Sequence, residues 1–211
     1  MNGRPIHDNR IKCNLFNKYF TSISNSPSND YQNLPPLEYL TDQRLLSPVI
    51  EPFEVFQVLN SLKPNKCKGF DNLPNRILKI CSQSLATPFS LLFHFIFSSE
   101  EYPTVWKTAT VIPLLKTGSQ TEVQNYRPIA LLPSLSNVFE KLLHKRIYNY
   151  LEHHNVLIPN NSGFRKKQST LNSLLSTCNN LYQAYDSNLS SRIVFLDISK
   201  AFDRVDHTCL L

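Results

Sequence analysis

Long apolar runs are absent from this sequence of 211 residues. The longest, from Phe89 to Phe97, is interrupted by a serine and a histidine and is far shorter than the roughly 20 residues of a membrane helix. The segment from Met1 to Tyr19 is polar, which argues against a signal peptide. These absences predict an intracellular chain with no targeting signal and no membrane partner.

Cysteine lacks any pairing pattern. There is no CxxC pair and no short Cys/His cluster among the five cysteines, which stand at positions 13, 67, 81, 178 and 209. An odd number at such wide spacings argues against both a disulfide framework and a zinc ribbon. The cysteines therefore indicate a reducing compartment.

Glycine is scarce, with four residues in the chain. Gly69, Gly118 and Gly163 fall in predicted turns, where special backbone geometry or the close approach of a ligand would require glycine. Ordinary loop punctuation explains these positions nearly as well.

Acidic residues are few in the middle of the chain. Between Lys107 and Lys167, nine lysines and arginines stand against Glu122, Glu140 and Glu152, a surplus of six. The whole chain has a net charge of +6, so the remainder is balanced. A local surplus is expected of a phosphate-binding surface, although a solvated basic face has the same composition.

Hydrophobic periodicity divides the chain into three segments. Residues 1–50, rich in Asn, Ser and Pro, are predicted to be a loosely ordered lead-in in which residues 11–23 dock as a short helix. Residues 51–107 form a helical extension, with predicted helices at 52–63, 75–84 and 88–98. Residues 108–211 contain a hairpin (108–115 and 129–132), two long helices and a last strand at 193–196.

Two apolar stripes in the long helices are expected to face the core. The first helix follows Ser134 and includes Val138, Phe139 and Leu142, and the second follows Ser169 and includes Leu171, Leu174 and Tyr185. The strand at 193–196 is continuously apolar, which predicts cover on both faces. The fold class is therefore α+β.

The stretch VFLDISKAFDRVDH, residues 194–207, carries the clearest chemistry. Asp197 follows the apolar run, and side chains at the carboxyl ends of covered strands point into ligand-binding crevices. Because Mg²⁺ prefers oxygen ligands, Asp197 and the carbonyl of Ile198 would supply half of a magnesium site. Alternatively, Asp197 or Ser199 caps a following helix. Three further residues are more typical of an exposed helix surface than of metal ligands: Asp203, Asp206 and His207.

This stretch resembles the first catalytic-aspartate motif of reverse transcriptases from non-LTR (LINE-type) retrotransposons. Four other blocks resemble the same family and occur in its order: LKPNKCKGFDNLP at 62–74, WKTATVIPLLK at 106–116, NYRPIALLPS at 125–134 and NSGFRKKQST at 161–170. The resemblance covers about residues 51 to 211. It implies a right-hand polymerase in which a helical extension precedes the fingers and part of the palm.

The resemblance also implies roles for particular residues. Asp197 would bind two catalytic Mg²⁺ ions, with the Ile198 carbonyl nearby, and Phe202 would lie under the nucleotide sugar and reject a 2′-hydroxyl. Lys116 and Arg127 would hold the incoming triphosphate; without the resemblance they would be ordinary surface cations. The family's template and primer contacts would fall on Gly163, Phe164, Arg165, Lys166 and Lys167.

The expected function is RNA-directed DNA synthesis, with an RNA template, a DNA primer and deoxynucleoside triphosphates as partners, in the nucleus or cytoplasm. The family's second pair of catalytic carboxylates has no counterpart here, so we expect these 211 residues alone not to polymerise. The alternatives are a non-enzymatic nucleic-acid-binding remnant and a decayed open reading frame.

Overall fold

The computed structural model describes residues 6–24, 45 and 49–205. Its helices are α1 (Asn9–Ser24), α2 (Pro52–Asn60), α3 (Asn75–Ile80), α4 (Ser82–Ser99), α5 (Ser134–His153) and α6 (Thr170–Asp186). Its strands are β1 (Thr110–Leu115) and β2 (Tyr126–Leu131), and short 3-10 helices cover Thr104–Lys107, Val123–Asn125 and Phe202–Arg204. Helices around a small sheet confirm the predicted α+β class. Asp206 and His207 lie outside the described residues.

The hydrophobic core lies between the extension and α5. Phe139 of α5 is 2% exposed and is surrounded by rings of the extension, with centroids 5.2 Å away for Phe93, 5.3 Å for Phe97 and 5.7 Å for Trp106. The stripe predicted for α5 is confirmed in its first half, because Val138 and Phe139 are buried together with Leu142. The core therefore contains side chains both from the extension, residues 51–107, and from the segment that follows it.

A proline lies inside α4, where the sequence predicts a helix start. The helix runs unbroken from Ser82 to Ser99 with Pro88 in its interior, so the predicted start at Pro88 is wrong. The break lies instead at Cys81, between α3 and α4, where φ is −88° and ψ is 11°. Proline removes one helical hydrogen bond, but burial of Ala86, Phe93 and Ile96 on the two sides of Pro88 holds α4 together.

The predicted hairpin is confirmed, with β2 starting three residues earlier than expected. The strands are antiparallel and pair Pro113 with Pro128. Since neither proline has an N–H to donate, this pair occupies a non-hydrogen-bonded site of the ladder. The alternation then makes Lys116 and Asn125 a hydrogen-bonded pair, and the Lys116 N–H does donate to the Asn125 carbonyl at 2.8 Å.

The strand predicted at 193–196 is not formed. These residues have no regular structure and are exposed, with Phe195 at 88% and Leu196 at 89%. In the part of the chain that the structure describes, the sheet has only two strands, β1 and β2. The backbone of 193–196 therefore has no ladder to join, and the prediction that both of its faces are covered is wrong.

The stripe of α6 is not core either. The helix forms as predicted, but none of its residues is buried, and Leu171, Leu174 and Leu175 are each more than half exposed. The amphipathic pattern therefore predicts the helix correctly and its burial wrongly. No described element covers this stripe.

The predicted docking helix of the lead-in is confirmed as α1. It packs against the hairpin, where the rings of Phe16 and Tyr126 meet edge to face at 4.8 Å. It also contacts the 3-10 helix at Phe202–Arg204, and the Lys200 ammonium lies 4.3 Å from the ring centroid of Tyr19. Thus α1 joins the hairpin to the segment around Asp197.

Among the described residues, no helix is both long and apolar enough to cross a bilayer.

An ion cluster ties the extension to α5. The guanidinium of Arg146 makes two hydrogen bonds to the Glu54 carboxylate, one of 2.8 Å to Oε1, and also donates to the Val49 carbonyl at 2.7 Å. Lys145 adds a bond of 3.2 Å to the same carboxylate. The hydrogen bond from Arg146 is the main reason that the pKa of Glu54 falls to about 2.

We predict that Gly69→Ala destabilises the chain by about 1–3 kcal/mol, the usual cost of overpacking. A Cβ on Gly69 would lie 2.6 Å from the Leu132 carbonyl oxygen, a backbone atom that cannot move aside freely. Urea unfolding followed by circular dichroism measures the change. Gly163→Ala is the matched control, since its Cβ would meet only the Asn161 side chain at 3.4 Å. Equal stability of the two variants would contradict the prediction.

We also predict an acid-dependent loss of stability from Glu54. Its folded pKa of about 2 is below the ordinary value of 4.5, so its contribution is complete above about pH 5 and disappears as the pH falls from 4.5 towards 2. Glu54→Gln should lower stability by about 1 kcal/mol at pH 7, after allowance for solvent screening. The difference between the two proteins, measured by thermal unfolding, should shrink towards pH 2. A difference that stays constant with pH would refute this assignment.

Candidate nucleotide and nucleic-acid site

The two residues that are predicted to bind the triphosphate lie on one face of the hairpin. Arg127 pairs with Leu114, and Lys116 follows two residues later with Asn125 opposite it. Since side chains alternate between faces, Lys116 and Arg127 are diagonal neighbours on one face, with Cα atoms about 7–8 Å apart in such a ladder. Both side chains are exposed. The hairpin register thus brings the two cations together.

The opposite face of the hairpin is covered by α1. Between them lies a cavity of about 490 Å³, lined by Phe16 and Phe20 of α1 and by Val111, Pro113 and Pro128 of the hairpin. The two faces of the hairpin therefore differ in exposure and charge: one is packed on α1, and the other is open to solvent and carries the two cations beside Ile112, Leu114 and Ile129.

Hydrogen bonds fix the loop that joins the strands. Gly118 has a φ of +85°, and a Cβ there would lie 2.7 Å from the Asn125 amide nitrogen. That amide donates to the Ser119 carbonyl at 2.9 Å, and the Tyr126 hydroxyl donates to the Gln120 carbonyl at 3.0 Å. This arrangement agrees with the prediction that Gly118 serves special backbone geometry, and it restrains the backbone next to Lys116.

Arg165 is engaged inside the chain. Its guanidinium donates to both carboxylate oxygens of Glu152 on α5, at 2.6 and 3.2 Å, and to the Ile158 carbonyl at 3.1 Å. The Tyr148 hydroxyl donates to Glu152 at 2.6 Å and accepts the Lys166 N–H at 3.0 Å. Hydrogen bonds from Arg165 and then Tyr148 lower the pKa of Glu152, so this carboxylate stays charged at neutral pH. Together these contacts anchor the loop at residues 161–168 to α5.

The neighbours of Arg165 face solvent. Phe164 is 91% exposed and has a left-handed backbone with φ of +60°, and Lys167 has a φ of +64°. The Lys166 ammonium lies 5.0 Å from the ring centroid of Tyr148, and the Lys167 side chain is exposed. Gly163 is also exposed, and its N–H donates to the Asn161 side chain at 2.9 Å. The loop therefore presents Phe164, Lys166 and Lys167 outward, while Arg165 holds it in place.

Asp197 is exposed in an irregular segment. Within the described residues its carboxylate has no hydrogen-bond or ion-pair partner, and no three His, Cys, Asp or Glu side chains cluster as a metal site. Ile198, whose carbonyl was a predicted ligand, is 69% exposed. An unpaired carboxylate beside a free carbonyl matches the oxygen donors that Mg²⁺ prefers, so the residues present fit part of such a site.

One contact was not predicted from the sequence. The rings of Phe164 and Phe202 meet edge to face, with centroids 5.8 Å apart and planes at 87°. Phe202 begins a short 3-10 helix that also packs against α1. The pairing joins the loop at 161–168 to the segment after Asp197. No local pattern could have indicated it, because α6 separates the two rings in sequence.

Comparison of the sequence with known families gives the class of protein that this chain resembles. Residues 114–211 match the family of reverse transcriptases, described as RNA-dependent DNA polymerases. These residues therefore belong to a reverse transcriptase domain, and its relatives are of the non-LTR retrotransposon type, as the motifs indicated.

Individual relatives agree. The chain is 35% identical over 158 residues to the probable RNA-directed DNA polymerase from transposon X-element of Drosophila melanogaster, which is 74% of this chain and 17% of that protein. It is 30% identical over 194 residues to the probable polymerase from transposon BS of the same species, covering 91% of this chain and 21% of that protein. It is 35% identical over 159 residues, 75% of this chain and 17% of that protein, to the RNA-directed DNA polymerase from mobile element jockey of Drosophila funebris. The chain thus spans about a fifth of the length of these relatives.

We predict that Glu152→Gln releases the loop at residues 161–168. The substitution removes the charge that Arg165 binds, so the backbone amides of 163–167 should exchange with deuterium faster. The largest increase is expected for the Lys166 N–H, which donates to the Tyr148 hydroxyl. Hydrogen-exchange mass spectrometry measures this effect. Glu122→Gln, in the hairpin loop, is the control and should leave exchange at 163–167 unchanged. Unaltered exchange in Glu152→Gln would show that the ion pair does not hold the loop.

Proposed function

We propose that this chain forms the fingers and the start of the palm of an RNA-directed DNA polymerase, preceded by its helical extension. In this assignment residues 51–107 are the extension and residues 108–211 the fingers and first part of the palm. The observation that carries the proposal is the hairpin register, which sets Lys116 and Arg127 side by side on one exposed face. Two adjacent cations suit a triphosphate, whose charge must be balanced as the reaction proceeds.

The proposed reaction joins a primer to a deoxynucleotide. The primer 3′-hydroxyl releases its proton to solvent, its oxygen forms a bond to the α-phosphorus, the bond from that phosphorus to the bridging oxygen breaks, and pyrophosphate leaves. Lys116 and Arg127 would bind the triphosphate and keep its charge neutralised. Phe202, exposed beside the Asp197 segment, would contact the sugar and disfavour a 2′-hydroxyl.

Asp197 and the Ile198 carbonyl would hold Mg²⁺. When bound, the metal would activate the 3′-hydroxyl and stabilise the leaving group. The protein's part is to keep the Asp197 carboxylate free of internal partners, and the described residues leave it so.

RNA template and DNA primer are the proposed macromolecular partners. Lys166 and Lys167, exposed on the anchored loop, would bind the phosphate backbone, with Gly163 and Phe164 beside them. For Arg165 the ion pair with Glu152 favours a role in holding the loop over direct contact with nucleic acid.

We predict that Lys116→Ala and Arg127→Ala each raise the KM for deoxynucleotides about tenfold or more, with the primer–template Kd unchanged, because charge-assisted bonds to phosphate are lost. Asp197→Asn should abolish extension. The measurement is Mg²⁺-dependent primer extension on an RNA template by a full-length retrotransposon protein that contains these residues.

Lys145→Ala is the matched control, since this cation already faces Glu54 and should not affect the KM. A normal KM in both hairpin variants would contradict the assigned face. The alternative is a non-enzymatic protein that only binds nucleic acid. That function is correct if the unaltered protein never extends a primer but binds RNA in a salt-dependent manner that requires Lys166 and Lys167.

A further inference from the structure

The 3-10 helix that begins at Phe202, the proposed sugar contact, packs against α1, but the ring of Phe202 itself is largely uncovered. Phe202 begins this three-residue helix, follows a segment without regular structure and is 78% exposed. An aromatic ring that rejects a 2′-hydroxyl must be held in place, because discrimination by a clash fails if the ring can move away. The question is therefore what holds the Phe202 ring.

The ring partner of Phe202 is Phe164. The two meet edge to face at 5.8 Å and 87°, the arrangement that aromatic quadrupoles favour. Phe164 cannot drift freely, because its neighbours are fixed: Arg165 binds Glu152 through two hydrogen bonds, and the Lys166 N–H donates to the Tyr148 hydroxyl. The support thus runs from α5 through the anchored loop to Phe164 and then to Phe202.

We propose that Phe164 is a positioning residue for nucleotide selection: it holds the Phe202 ring against the sugar, and Glu152 with Arg165 holds Phe164. This inference rests on the proposed polymerase function and gives Phe164 a role other than template or primer contact. In this inference, selectivity for the sugar depends on the contact between the loop at 161–168 and the segment after Asp197. The sequence resemblance, in contrast, assigns that role to Phe202 alone.

The test is single-nucleotide incorporation by the full-length protein that contains these residues, comparing kcat/KM for a deoxynucleotide and the matching ribonucleotide. Phe164→Ala should reduce discrimination about two- to tenfold, the factor that corresponds to one edge-to-face aromatic pair. The change should come from a lower ribonucleotide KM, with the primer–template Kd unaltered. Phe164→Tyr retains a ring and should keep normal discrimination.

A double-mutant comparison makes the test specific. In a Phe202→Ala background, Phe164→Ala should have no further effect on discrimination, because the ring it supports is gone. Phe95→Ala, which removes an exposed ring from α4, is the control and should leave discrimination unchanged.

Two results would overturn the inference. One is a weaker primer–template Kd in Phe164→Ala with equal losses for both nucleotides, which would make Phe164 a nucleic-acid contact. The other is unchanged discrimination in Phe164→Ala. Both are distinct from failure of the proposed function itself, in which the unaltered protein would not extend a primer at all.

Discussion

The packing of Phe139 against the aromatic side chains of the extension is the contact on which the arrangement of this chain depends. The ring is almost fully buried, and Phe93, Phe97 and Trp106 surround it within 5.2 to 5.7 Å. A close-packed interior of this kind does not let a helix rotate or slide without losing contacts. Two residues separate the end of the hairpin from the start of α5, and the loop at 161–168 is hydrogen-bonded to α5, so the position of α5 restrains both.

Electrostatics then separates the cations of the basic middle segment into two groups. One group is bound to carboxylates and holds the fold together: Lys145 and Arg146 on Glu54, and Arg165 on Glu152. The other group is exposed and has no carboxylate partner among the described residues: Lys107, Lys116, Arg127, Lys141, Lys166 and Lys167. Four of these six cations lie on the hairpin face and on the anchored loop, where phosphate binding is proposed.

Sequence patterns predicted local structure better than burial. The apolar period of α6 correctly gave a helix, but the apolar stripe of that helix is exposed. The continuous apolar run at 193–196 predicted a covered strand, and these residues are exposed and form no strand. Hydrophobic periodicity indicates which side of a helix or strand is apolar, but that side is buried only if a second element covers it. Pro88 shows the reverse case: a local breaker lies within α4 because packing on both sides of it stabilises the helix.

The sequence by itself determined the family, the α+β class, the hairpin and the position of each motif along the chain. The shared face of Lys116 and Arg127 came from the register of the ladder in the structure, because the strand predicted from the sequence began at residue 129 and left Arg127 outside it. Only the tertiary structure decided that Arg165 binds Glu152 and that Phe164 meets Phe202. The physical reason is that such contacts depend on how helices pack and loops return, whereas local periodicity specifies only the conformation of each element.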